Sequence, residues 1–164
     1  MLRRGNRGSA KYWRRVLLPV IERYRGLNIP KIFRGDAAFA GPRLLRLLEQ
    51  EGFRYAVRIK PNAVLERKVA RWLKRPVGRP SRMPEVFYHS FRYQAGSWEC
   101  ARRVVVKVEW HAGELFPRVG FIVTNLTWRA KKVVRFYNRR VTAEVCHALR
   151  PKVQLVSRGV TGLS

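Results

Sequence analysis

Apolar positions recur at steps of three and four over residues 10–24, where Trp13, Val16, Leu17, Val20, Ile21 and Tyr24 mark one face of an amphipathic helix. Ser9 stands where it would cap the start, and Pro19 predicts a kink in the middle. Residues 31–34 read as a short strand running into Gly35-Asp36. Pro42 then opens a second helix through Leu44, Leu45, Leu47 and Leu48, and Gly52 ends it. Residues 53–60 alternate and are rich in aromatic and β-branched side chains, which predicts a strand that Pro61 stops. Helix, strand, helix, strand is an α/β signature.

The second half changes character. Helical spacing returns over residues 64–74, and residues 75–84 then pack three prolines and three arginines into an extended loop. Three β-rich runs follow, at 86–93, 103–110 and 118–124. Turns at Ala95-Gly96-Ser97 and His111-Ala112-Gly113 join them, which predicts an antiparallel meander. Residues 130–146 are helical through Val133, Val134, Phe136 and Tyr137; beyond Val145 the pattern is lost, and residues 148–164 read as a frayed tail. There is no internal repeat.

Composition adds a partner. A chain of 164 residues with 46% hydrophobic positions can bury a core of its own. Thirty-six Lys and Arg against ten acids leave a net charge of +26, a self-repulsion that a polyanion would relieve, so nucleic acid is the expected ligand. The longest apolar stretch, residues 16–21, contains Pro19 and is far shorter than the ~20 residues of a membrane span, which predicts a soluble protein. Two cysteines, Cys100 and Cys146, make no disulfide framework, and a reducing cytoplasm fits.

Two stretches carry candidate chemistry. Asp36 is the sole aspartate and follows a short strand, the sheet edge where ligands collect in α/β folds; a turn aspartate or helix N-cap explains the same residue. At about 100° per residue, Glu144 lies about 20° from Tyr137 and Arg140 about 60° from it, so the three share one helical face. A polar site fits that stripe, and so does a surface helix with an i,i+4 Arg–Glu pair. Arg75 and Arg82 flank a Gly78-Arg79-Pro80 core like that of an AT-hook, and the three arginines serve equally as a basic linker on phosphate. Trp98 and Trp110, interleaved with Arg92, Arg102, Arg103 and Lys107, suit either base stacking or a sheet core. His89, His111 and His147 share no metal-ligand spacing.

These stretches resemble the DDE transposases of bacterial insertion sequences, in the group whose third acid lies in a Tyr-x2-Arg-x3-Glu-x6-Lys signature. Tyr137, Arg140 and Glu144 match its first three positions. The segment from Phe33 through Asp36 to Ala40 is similar to the one carrying the second aspartate. The runs at 74–80, 93–98 and 119–125 resemble further blocks of one branch, so the resemblance covers residues 1 to about 144. It implies a ribonuclease-H-like α/β core, incomplete for want of its leading strands, with a β-rich insertion before the glutamate helix. The divisions are then a partial core at 1–62, a linker helix, basic loop and insertion at 63–128, the core helix at 129–147, and the tail.

The resemblance further implies a metal-dependent DNA strand cleavage and transfer activity using Mg²⁺ or Mn²⁺. Asp36 and Glu144 would be catalytic metal ligands, with Tyr137 and Arg140 supporting them. Arg75, Arg79, Arg82, Arg102, Arg103 and Lys107 would contact DNA. The partner would be the terminal inverted repeats of an insertion sequence, the setting a bacterial nucleoid, and the intact family member a homo-oligomer. The family's first aspartate has no counterpart, and Pro151 stands where the signature lysine falls, with Lys152 beside it. The reading is therefore an internal, inactive fragment with a bare parallel-sheet edge, marginally stable and prone to aggregate. A non-catalytic nucleic-acid-binding module of ribosomal type and a functionless translated remnant are the alternatives.

Overall fold

Helix α1 (Trp13–Tyr24) runs through Pro19 and buries Leu17 and Ile21. The computed structural model describes residues 12–74, 83–144 and 154–155, without the side chains of 140–144 and 154–155. Strand β1 (Ile32–Gly35) is buried along its length. Helix α2 (Pro42–Gln50) begins on Pro42, whose absent N–H would have had no intrahelical partner. It closes as a Schellman turn: Gly52 takes φ 70°, its N–H donates to the Glu49 carbonyl, and the Phe53 N–H reaches the Leu48 carbonyl at 2.7 Å.

Strand β2 (Arg54–Ile59) leads to helix α3 (Ala63–Val69), whose first N–H groups, of Val64 and Leu65, donate to the Asn62 side chain. The meander expected from the alternation is β3 (Glu85–Tyr93), β4 (Arg102–Trp110) and β5 (Arg118–Thr124), and helix α4 (Ala130–Glu144) follows. Ser9, the loop at 75–82 and the tail apart from 154–155 lie outside the described residues.

One mixed sheet in the order β3-β4-β5-β2-β1-β6 holds all the strands. Among the described strands only β1 and β2 pair in parallel. Strand β5 runs antiparallel to β2, from Ala56 opposite Thr124 to Ile59 opposite Phe121, so the meander continues the same sheet. This corrects the expected parallel sheet, and its outer edge is not bare: β6 (Gln154–Leu155) pairs antiparallel with Phe33 and Arg34. Period-2 alternation alone states which residues share a face; which strands become neighbours is settled by long-range packing.

The two faces differ. Phe33, Tyr55, Val57, Phe121, Val123, Val104 and Val106 look toward α1, α2 and α3, which contribute Leu17, Ile21, Leu44, Leu45, Leu48, Leu65 and Val69. The opposite face carries Ile32, Ala56, Val105 and Ile122 under Val133 and Val134 of α4. In β4 every even-numbered position is buried, whereas of the odd ones only Val105, beneath α4, is. Among the described residues a single helix therefore covers the middle of that face.

Candidate functional site

Asp36 follows β1 in extended conformation (φ −80°, ψ −177°), so the strand alternation carries through it and sets Ile32, Arg34 and Asp36 on the α4 side of the sheet. Its Oδ1 accepts from the Ala38 N–H at 3.0 Å and caps the 3-10 turn Ala37–Phe39. The capping reading of this residue is thus realised. Gly35, just before it, is packed under its neighbours: a Cβ there would stand 2.9 Å from Phe33 Cε1 and 3.1 Å from Phe39 Cβ.

Helix α4 is held over this edge by two arginines. Arg34, 4% exposed, donates from Nη1 to the Phe136 carbonyl at 2.8 Å and lies 5.2 Å from the Phe136 ring centre. Arg103 donates from Nη1 to the carbonyls of Leu126 and Trp128, at 2.6 and 2.8 Å, and so fixes the chain that leads into the helix. Thr124 and Asn125 lock the preceding strand: the Thr124 hydroxyl donates to the Tyr55 carbonyl, and the Asn125 amide bridges the Tyr55 N–H and the Phe53 carbonyl. Tyr137 is half-buried against the α4-side core. Arg140 and Glu144 lie further along α4, with their side chains outside the described residues.

Beside Tyr137 opens a cleft of about 260 Å³ between α4 and the uncovered part of the sheet, walled by Arg58, Lys107, Glu109, Arg118, Tyr137 and Asn138. Lys107 is the one expected DNA contact that lies here; its Nζ stands 2.5 Å from Glu109. Arg58 was not picked out by sequence reasoning. Its place in a β-rich run gave no sign that it would line a cleft beside α4.

The other expected contacts fall elsewhere. Arg75, Arg79 and Arg82 lie outside the described residues. Arg102 is 7% exposed on the opposite face, its Nε and Nη2 each 2.8 Å from a Glu49 oxygen and its guanidinium above Trp98. A guanidinium so paired is a structural tie, and Arg103, bonded to two backbone carbonyls and to Ser90, is another. Trp98 and Trp110 belong to the buried core, and His89 packs on Trp72.

That tie also shifts the titration of its own groups. The Arg102 hydrogen bonds hold the Glu49 carboxyl below the usual range, while burial and the adjoining Glu49 push the Tyr55 hydroxyl upward. Tyr55 is fully buried and donates to Glu49 at 2.7 Å, so the trio is a closed tie inside the fold, in which only Arg102 Nη1 is buried without a hydrogen-bond partner.

Among the described residues no helix is long and apolar enough to cross a membrane. A comparison with curated proteins finds no match. The family model described as transposase DDE domain group 1, in contrast, matches residues 1–154, ten residues beyond the end of the motif resemblance and across β1, the meander and α4 alike. With a match over nearly its whole length, and a mixed α/β sheet compatible with a ribonuclease-H-like fold, this chain belongs to the DDE transposase family.

Proposed function

We propose that this chain forms the part of a DDE transposase that carries its second and third acids, with Asp36 and Glu144 as the metal ligands and Tyr137 and Arg140 positioning phosphate or the glutamate. One observation carries the reading: Arg34, two residues before Asp36, fastens β1 to α4, the helix of the Tyr-Arg-Glu signature. On this reading β1, β2 and α4 belong to a ribonuclease-H-like core, and α3 with the meander is its insertion.

DDE transposases generally use divalent metal ions. The hard carboxylate oxygens of Asp36 and Glu144 suit Mg²⁺ or Mn²⁺. Among the described residues, however, no group of three His, Cys, Asp or Glu side chains could hold a metal ion. When bound, such ions supply activation of a water or 3′-hydroxyl and relief of charge on the leaving oxygen. The chain's own part is to hold one carboxylate at the end of β1 and one on α4, and to bind the DNA through phosphate.

Asp36 is the sole aspartate in 164 residues, one fewer than the family's triad requires, so the chain by itself cleaves no DNA. Incubation of the purified chain with Mg²⁺ or Mn²⁺ and duplex DNA carrying inverted repeats is expected to leave the strands intact. Cleavage that disappears in both Asp36→Ala and Glu144→Ala overturns the claim of inactivity and keeps the assignment of the acids. DNA affinity is expected to fall steeply between about 50 and 200 mM salt. A flat response removes the phosphate-based reading.

A further inference from the structure

We infer that the cleft between α4 and the sheet seats the phosphodiester backbone of one DNA strand, with Arg58 as its principal contact; this rests on the DNA-handling reading above. Position is the first argument. The parallel register pairs Gly35 with Val57, so the next pair along sets Asp36 beside Arg58, on strands about 4.8 Å apart. Both residues are on the α4 side, and Arg58 lines the cleft.

Charge is the second. Arg34, Arg102 and Arg103 are engaged by protein acceptors, whereas Arg58 is exposed and has no hydrogen-bond or ion-pair partner among the described residues. Lys107 and Arg118 add two cations, tempered by Glu109 and Glu114, to which they are respectively paired. Arg58 is therefore the one whose guanidinium fork is ready for phosphate oxygens, at the least cost in broken contacts.

Shape is the third. Gly120 of β5 lies on the cleft floor, and a Cβ built on it would meet no atom within 4 Å. A glycine inside a strand marks a place where another backbone comes close, and here the open space lies directly above it. The amide of Asn138 on α4 supplies a further polar group to the wall. A free anion would satisfy Arg58 alone; a strand passing Asp36 would use Arg58, the floor at Gly120 and the α4 wall together.

The test titrates fluorescent duplex DNA with the whole chain across about 50 to 200 mM salt, for the unaltered protein and for Arg58→Ala, Gly120→Phe and Arg43→Ala. Gly120→Phe fills the cleft without changing charge and is expected to weaken binding about tenfold. Arg58→Ala is expected to lower the slope of log affinity against log salt by about 0.9, one phosphate contact, and Arg43→Ala, exposed on α2 across the sheet, by much less. Circular dichroism checks that each variant is folded, and Arg58→Ala decides the matter if Gly120→Phe is not. If Arg58→Ala loses no more than Arg43→Ala, or a folded Gly120→Phe binds like the unaltered chain, the cleft is not the seat and the DNA reading survives. If the unaltered chain binds no DNA, that reading fails and this one with it.

Discussion

The guanidinium of Arg34 reaches the carbonyl oxygen of Phe136 at 2.8 Å and lies 5.2 Å from the centre of its ring, so one buried side chain joins β1 to α4. These elements are a hundred residues apart in sequence. The geometry of the candidate site depends on their staying in register, because Asp36 stands two residues beyond Arg34 and Tyr137 is next to Phe136.

Arg34→Met keeps an unbranched apolar stem and removes both interactions. Charged hydrogen bonding and cation–π contact together suggest a loss of about 2–3 kcal/mol. Arg34→Lys should recover less than half of that, since an ammonium lacks the planar fork. Urea denaturation followed by tryptophan fluorescence measures both, and a stability unchanged by Arg34→Met would show that the pin is not what holds α4.

Gly35→Ala inserts a methyl where Phe33 and Phe39 already stand within 2.9 and 3.1 Å of its position. The Phe33 ring and the Phe39 Cβ must give way, and overpacking of this kind costs about 1–3 kcal/mol. A lowered thermal midpoint is the expected result, with partial recovery on adding Phe33→Leu.

Glu49, Arg102 and Tyr55 form a tie with a definite pH response. The Glu49 carboxyl of the folded chain lies below its ordinary 4.5 because Arg102 hydrogen-bonds to it. Between the folded and unfolded values the unfolded chain binds more protons, so this contribution is complete above about pH 4.5 and is lost as pH falls through the folded value. Glu49→Gln should lose stability near pH 6 and show a weaker decline on acidification than the unaltered chain. Arg102→Ala, which strands the carboxylate, should cost about 3 kcal/mol at neutral pH.

Asp36 caps the Ala37–Phe39 turn through Oδ1, and asparagine can do the same. Asp36→Asn is therefore expected to keep stability within about 0.5 kcal/mol, while Asp36→Ala loses about 1 kcal/mol. Asp36→Asn is the variant that removes charge without disturbing the turn. Equal losses in the two would mean that the charge itself, not the cap, stabilises this edge.

Local patterns determined much of this protein. Steps of three and four marked α1, α2 and α4, alternation marked β2 and the meander, and Pro42 and Gly52 bracketed α2, because each signal lies within a few residues of chain. The spacing of Tyr137, Arg140 and Glu144 was likewise legible, being a property of one helix. Tertiary structure alone decided that β5 lies beside β2, that β6 covers part of the edge of β1, and that Arg58 lines a cleft beside α4. It also sorted the arginines. In a chain of +26 every arginine looks like a DNA contact, yet Arg34, Arg102 and Arg103 are taken by acceptors up to a hundred residues away, whereas Arg58 meets none among the described residues. Whether a guanidinium meets a carbonyl, a carboxylate or open solvent depends on which distant segment packs over it, and no local period encodes that.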